Sequence, residues 1–190
     1  MSGKLIYLMG PSGSGKDSLI DAARPYLAQR GCEVIRRVIT RSPEAVGEDA
    51  LSVSPEAFEA LKQEGAFALH WQANGLEYGI PAQLDEWLGA GRHVLVNGSR
   101  GYLKRARERY PDVLPILLRV DTPVLYKRLM ARGRETQEEI LARLERNHAF
   151  LESTHSLRGE RVHLLDNSTS LSSAVQKLLA IIDEGVAAST

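Results

Sequence analysis

Apolar positions along the chain follow two spacings. Short continuous runs occupy Leu5-Ile6-Tyr7-Leu8-Met9, the stretch Glu33 to Thr40 with Val34, Ile35, Val38 and Ile39, then His93 to Val96, Val113 to Val120 and Val162 to Leu165. Runs of this length, bounded by glycine and polar residues, predict buried strands. Between them the apolar residues recur at helical spacing, as with Leu19, Ile20, Ala23 and Leu27 in a helix predicted from Lys16 to about Gln29. Further helices are predicted near Ala82 to Leu88, Gly101 to Arg109 and Thr122 to Ala131, from about Gln137 past Phe150, and over Ser170 to Ile182. Strands separated by helices imply an α/β fold with a mainly parallel sheet covered on both faces, which binds ligands at the strands' carboxyl ends.

The alternation breaks between Arg41 and about Gly79. There a loop rich in Pro, Gly and acidic residues leads to Leu51-Ser52-Val53-Ser54, a helix from about Pro55 to Glu64 and a short aromatic segment. Ser54 followed by proline is a helix start signal. This stretch is expected to be an insertion, about 41–79, in a single domain covering 1–190.

Composition narrows the function classes. With 43% hydrophobic residues in 190, the chain has enough apolar material for a sizeable core. A formal net charge of +0 argues against a nucleic acid polymer or an anionic membrane surface as partner, so any anion must meet a local cluster. The single Cys32, the absence of a signal-peptide pattern and the lack of an apolar run of roughly 20 residues lead to the expectation of a cytoplasmic protein, monomer or homodimer, without a membrane segment. His70, His148, His155 and His163 with Cys32 make no zinc spacing.

One local cluster follows the first strand. Gly10-Pro11-Ser12-Gly13-Ser14-Gly15-Lys16-Asp17-Ser18 meets the phosphate-loop rule at Gly10, Gly15 and Lys16, between a strand and a helix. Small residues let backbone N–H groups face phosphate oxygens, the helix adds the positive end of its dipole, and Lys16 acts as a point charge on the outer phosphates. The position that should offer a hydroxyl to Mg²⁺ carries Asp17, which has two readings: a metal ligand, or a favourable acid at a helix start. Ser18 is no simple substitute, because one residue rotates it about 100° around the helix. A nucleoside triphosphate, ATP, with Mg²⁺ is the expected ligand.

A second cluster brackets Gly133. Arg128 and Arg132 share one helical face, Arg143 and Arg146 another, and Arg134 lies at the joint. In phosphotransferases such an arrangement closes as a lid, here about 132–143, bringing guanidinium groups to the migrating phosphoryl and excluding water. Glu135, Glu138, Glu139 and Glu145 allow the alternative of a solvated, ion-paired helix. Arg132, Arg134 and Arg143, with Lys16, are the catalytic candidates. Arg41, after the second strand, and Arg100, at a strand's carboxyl end, are candidates for an acceptor's phosphates; Arg36 and Arg37 are expected on or beside the surface. Trp71 and Tyr78 are expected in the acceptor pocket or the core, and Asp166-Asn167 near the adenine or in an ordinary turn.

The loop Gly10 to Lys16 resembles that of guanylate kinases. The resemblance continues through Ile39-Thr40-Arg41, Val53-Ser54, Gly65-Ala66-Phe67, Glu77-Tyr78-Gly79 and Arg132-Gly133-Arg134-Glu135-Thr136. It implies a P-loop nucleoside-monophosphate-kinase-like core with a parallel sheet, a small acceptor-binding insertion and an arginine-bearing lid. The base-reading positions depart from that family: Asp49-Ala50 replaces an aspartate–tyrosine pair and Glu44 an arginine. Leu69-His70-Trp71 stands where a guanine-reading glutamate belongs, Ile80 replaces a hydroxyl residue, and Val96-Asn97-Gly98-Ser99-Arg100 replaces an acidic strand end. A site without those hydrogen-bond partners reads a purine poorly. The altered set is similar to the ribose 1,5-bisphosphate phosphokinases of the same superfamily, which implies transfer of the γ-phosphoryl of ATP to the 1-phosphate of ribose 1,5-bisphosphate. Arg41, Tyr78 and Arg100 are then the expected substrate-binding residues. A nucleoside monophosphate kinase with an unusual acceptor site and a non-catalytic peptide-binding module are the alternatives.

Overall fold

The computed structural model describes residues 2–11, 13–42, 50–154 and 161–188. In chain order they form β1 (Leu5–Met9), α1 (Lys16–Gln29), β2 (Cys32–Val34), β3 (Val38–Ile39), β4 (Leu51–Ser52), α2 (Pro55–Gln63), β5 (Phe67–Ala73), β6 (Leu76–Pro81), α3 (Gln83–Gly89), β7 (His93–Asn97), α4 (Leu103–Arg109), β8 (Leu114–Arg119), α5 (Thr122–Arg132), α6 (Gln137–Thr154), β9 (His163–Asp166) and α7 (Leu171–Ala187). A 3-10 turn covers Arg100–Tyr102. The chain forms two compact units, Met1–Leu8 with Arg24–Leu114 and Met9–Ala23 with Pro115–Thr190.

In the first unit β7 pairs in parallel with both β1 and β2, in a register that sets Leu5 beside Val94 and Cys32 beside His93. All of β1 is buried, and so is β7 after His93, as expected of parallel strands covered on both faces. Cys32 lies in this layer, and burial pushes its thiol up to about 12, so it stays protonated and inert at neutral pH. The second sheet has the order β4-β3-β6-β5. The hairpin of β5 and β6 turns at Asn74-Gly75, both left-handed with φ 54° and 74°, as a two-residue hairpin turn requires. Ser54 caps α2, its Oγ accepting from the Ala57 N–H at 3.1 Å, ahead of Pro55 at the first helical position.

The single strand expected over Glu33 to Thr40 is two. Ile35 ends the pairing with β7 by donating to the Leu95 carbonyl, whereas Val38 and Ile39 pair with β4 and β6 of the other sheet. Arg36 and Arg37 are the crossing point. Two apolar pairs flanking Arg36-Arg37 read the same for one long strand as for two short ones that change sheets, so spacing alone does not mark the break.

In the second unit β8 and β9 pair in parallel, with Ile116 beside His163 and Arg119 beside Asp166. Gly133, left-handed at φ 63°, ends α5 with its N–H on the Met130 carbonyl, and Thr136 Oγ1 accepts from Glu139 N–H to open α6. Val120, Leu125, Leu129 and Ile140 join the two helices in one buried cluster. The last helix runs past the expected Ile182 to Ala187 and buries Ala174, Val175, Leu178, Leu179 and Ile182 at helical spacing.

A pH dependence of stability follows from the start of β7. The Lys4 backbone N–H donates to His93 Nδ1 at 2.9 Å, which requires that nitrogen unprotonated, and burial lowers the imidazole's pKa below 6.5. The unfolded chain therefore binds a proton that the folded chain refuses. This contribution is complete above about pH 6.5 and is lost as pH falls through the lowered folded value. Melting temperatures between pH 7.5 and 5 should fall more steeply for the parent than for His93→Gln; equal slopes would assign the loss to other groups.

Candidate active site

The second unit holds the phosphate loop. Gly13 and Gly15 sit at φ 83° and 85°, a region L side chains rarely adopt, and the Ser14 N–H turns back to the Pro11 carbonyl at 3.1 Å. Leu19 N–H donates to the Gly15 carbonyl, so the loop runs straight into the helical ladder of α1. A Cβ at Gly10 would stand 2.8 Å from Ser14 Oγ, and one at Gly15 only 2.7 Å from Asn167 Nδ2. Asn167, just after β9 and only 4% exposed, donates through Nδ2 to the Ser14 carbonyl at 2.8 Å. It braces the loop. Ser14 is buried, with an Oγ that has no hydrogen-bond partner among the described residues. Ser12 lies outside the described residues.

Glycines at positive φ, an unpartnered buried hydroxyl, a half-buried Lys16 and a helix N-terminus together form a cradle that fits a triphosphate. Asp17 and Ser18 are exposed in the first turn of α1. Among the described residues no three metal-ligating side chains gather. Mg²⁺ held by one or two carboxylates and the substrate's phosphates needs no such group, so Asp17 fits it as a single protein ligand.

The arginines around Gly133 divide. Arg128 donates Nη1 to the Asn167 carbonyl at 2.7 Å and Nη2 to the Thr169 carbonyl at 2.9 Å, so it clamps the turn after β9. Arg143 holds the Glu135 carboxylate with Nε, at 3.2 Å, and with Nη2, both side chains being mostly buried. Its aliphatic stem reaches the phosphate loop: a Cβ on Gly13 would lie 3.6 Å from Arg143 Cδ. Arg132, Arg134 and Arg146 are exposed.

The first unit carries the other candidates. Thr40 exchanges backbone and side-chain hydrogen bonds with Glu77, which fixes the end of β3 on β6 and leaves Arg41 half-buried just beyond. Tyr78, half-buried on β6, stands opposite Trp71, and their rings stack at 5.7 Å with 5° between planes. Trp71, 7% exposed, also stacks against Tyr102, with ring centroids 5.5 Å apart. The Arg37 guanidinium lies 4.8 Å from the Tyr78 centroid, and its Nη1 donates to the Asn97 carbonyl at 3.2 Å. Half-buried beside the surface, Arg37 is thus built into this cluster. Asn97, 5% exposed at the end of β7, has an Oδ1 without a hydrogen-bond partner among the described residues. The backbone after it is fixed by Tyr7, whose hydroxyl donates to the Ser99 carbonyl at 2.6 Å; burial pushes that phenol's pKa up, so it remains a donor. Arg100 opens the 3-10 turn and is half-buried.

Lys16, the loop and Arg143 therefore belong to one unit, and Arg41, Tyr78 and Arg100 to the other. Glu44, Asp49 and His155 lie outside the described residues. Arg37, Arg128 and Asn167 prove structural to these clusters.

No protein-family model matches the chain. Curated relatives do: the chain is 60% identical over 185 residues to "Ribose 1,5-bisphosphate phosphokinase PhnN" of Pseudomonas fluorescens (strain SBW25), with 97% of both chains covered. A protein of the same name from Azotobacter vinelandii (strain DJ / ATCC BAA-1303) is 60% identical over 182 residues, covering 96% of this chain and 97% of that one. Among solved structures, a guanylate kinase from Anaplasma phagocytophilum superposes with a TM-score of 0.69 at 19% identity, over 97% of this chain and 87% of the other. A gluconokinase from Sinorhizobium meliloti 1021 gives 0.54 at 23% identity, over 97% and 94%. At these identities the two structures establish the guanylate-kinase-like fold and nothing finer.

Proposed function

The chain belongs to the ribose 1,5-bisphosphate phosphokinase family, and from that membership we infer that it transfers the γ-phosphoryl of ATP to the 1-phosphate of ribose 1,5-bisphosphate, giving 5-phosphoribosyl 1-diphosphate and ADP. The observation that carries this reading is the 60% identity to the Pseudomonas fluorescens protein of that name over 97% of both chains. In the transfer a bond forms between an oxygen of the acceptor's 1-phosphate and the γ-phosphorus, the bond from that phosphorus to the bridging oxygen breaks, and the electron pair leaves with ADP. The attacking oxygen is already anionic, so neither a general base nor a covalent enzyme intermediate is required. Positioning and electrostatics carry the rate.

Each part of that task has residues suited to it. The N–H groups of the loop from Gly10 to Ser18 bind the donor's phosphates, and Lys16 spreads its charge over the outer two. Arg132, Arg134 and Arg143, on a lid of about 132–143, stabilise the transferring phosphoryl and keep water from competing. The passage of Arg143 over Gly13 supports its share, and its Glu135 partner holds the guanidinium in place until a phosphate competes for it. Mg²⁺, when bound, would withdraw charge from the β- and γ-phosphates, with Asp17 as its protein ligand. Arg41, Tyr78 and Arg100 bind the acceptor through its phosphates, within an insertion of about 41–79 and the strand end beside it.

An acceptor panel tests the reading. With ATP and Mg²⁺, ribose 1,5-bisphosphate should drive ADP formation, and GMP, AMP, CMP and UMP should each support less than about one hundredth of that kcat/KM. A kcat/KM with GMP equal to or above that with the sugar bisphosphate would reject it in favour of a nucleoside monophosphate kinase.

A further inference from the structure

Between α2, the edge strand β5 and the turn into α4, all in the first unit, lies a cleft of about 480 Å³. Phe58 and Trp71 form part of its wall, and both are nearly inaccessible to solvent. Its polar lining is weighted toward donors: Lys62 from α2, His70 from β5, Ser99 and Tyr102 from the turn, and Arg105 from α4, against a single carboxylate, Glu77. That carboxylate accepts from Gln72 Nε2 at 3.4 Å. Among the described residues Lys62 pairs only with Glu59, at 3.7 Å and in the open, a pair that is readily exchanged. Among the described residues no carboxylate pairs with Arg105.

We propose that this cleft binds the phosphate of the acceptor that does not react, the 5-phosphate, through Lys62 and Arg105. The proposal rests on the acceptor inferred above and refines it, leaving Arg41 and Arg100 to the 1-phosphate. Three observations meet here. A sugar with phosphates at both ends needs two separate cationic sites, because two dianions repel when they share one. The cleft adjoins the residues already given to the acceptor, since Ser99 precedes Arg100 and Trp71 stacks on Tyr78. Its donors are of the types that hold phosphate monoesters: a guanidinium fork, an ammonium point charge, two hydroxyls and an imidazole N–H. The apolar wall limits solvent on one side and strengthens those contacts.

Arg105→Ala and Lys62→Ala, both at exposed positions that a folded chain tolerates, supply the test. Each should raise the KM for ribose 1,5-bisphosphate by about tenfold while the KM for ATP stays within about twofold. Removing the 5-phosphate from the substrate should make the substitution silent: with ribose 1-phosphate, parent and Arg105→Ala should have the same low kcat/KM, the non-additivity expected of partners. Equal proportional losses on both substrates, or an unchanged KM for the bisphosphate, would overturn the proposal. Binding supplies a second readout: ribose 5-phosphate should raise the melting temperature of the parent and not of the double variant, and an equal rise in both would also overturn it. If the parent fails to phosphorylate ribose 1,5-bisphosphate, the acceptor is wrong, and the melting comparison alone still decides whether the cleft holds a phosphate.

Discussion

Lys16→Ala is expected to lower kcat by about a hundred- to a thousandfold, the loss typical of removing one preorganised group from a site where charge develops. The transferred phosphoryl and its leaving group share negative charge over several oxygens, and Lys16 begins the helix immediately after the glycine loop that would hold them. A neutral methyl at that position supplies no counter-charge, and water is a poor replacement because its dipoles must reorganise during the reaction. Lys16→Arg should not restore the rate, since a planar fork on a longer stem does not reproduce a compact ammonium. Lys16 is half-buried and not part of the core, so the melting temperature should move by no more than about 2 °C. Steady-state kinetics with ADP detection, run beside a thermal melt, checks both halves. A variant that keeps more than about a tenth of the parent kcat would remove Lys16 from the mechanism.

Gly98→Ala should cost on the order of 3–5 kcal/mol of stability. A Cβ there would stand 2.2–2.5 Å from three carbons of the Tyr7 ring, and that ring is fully buried in β1. The ring has no flexible end to yield. Moving it breaks the hydrogen bond from its hydroxyl to the Ser99 carbonyl and leaves a buried donor unsatisfied. For a chain of this length the expected fall in melting temperature is about 10 °C. Calorimetry or circular dichroism reads it directly, and a fall of less than about 2 °C would show that the strand end after Asn97 is more pliable than this packing implies. Since the same backbone carries Ser99 and Arg100, the surviving folded fraction should also bind the acceptor more weakly.

These two residues differ in how plainly the sequence shows them. Lys16 is visible at once, because a strand, a glycine loop at fixed spacing, a lysine and a helix coincide over a dozen residues. The parallel strands and their helices are legible for a similar reason: β1, β7 and β8 are continuous apolar runs, and α1, α5 and α6 keep helical spacing between clear start and stop signals. Gly98 is different, since its importance lies in a ring that is distant along the chain and adjacent in space. Long-range contacts also explain Arg37, whose role comes from Tyr78 and the Asn97 carbonyl, and Asn167, whose amide reaches across to Ser14. Arg128 looked like its neighbours on α5 because helical spacing shows which residues share a face and not what that face meets.

The signal for the hairpin of β5 and β6 is local. Asn74-Gly75, flanked by Trp71 and Tyr78, is a strong marker for a two-residue hairpin, and with it the aromatic segment resolves into β5 and β6. Recognising that hairpin places Trp71 opposite Tyr78 without further information, because cross-strand partners follow from a two-residue turn. The division of Glu33 to Thr40 between two sheets had no such marker.

The identity of the phosphorylated product decides the chemistry proposed for this chain. With ATP labelled at the γ-phosphorus, ribose 1,5-bisphosphate and Mg²⁺, the label should emerge as the terminal phosphorus of a diphosphate at C1 of the sugar, read by phosphorus NMR and mass spectrometry, with one ADP per labelled product. Label found as inorganic phosphate, or on a nucleoside monophosphate in preference to the sugar when both are present, would contradict it.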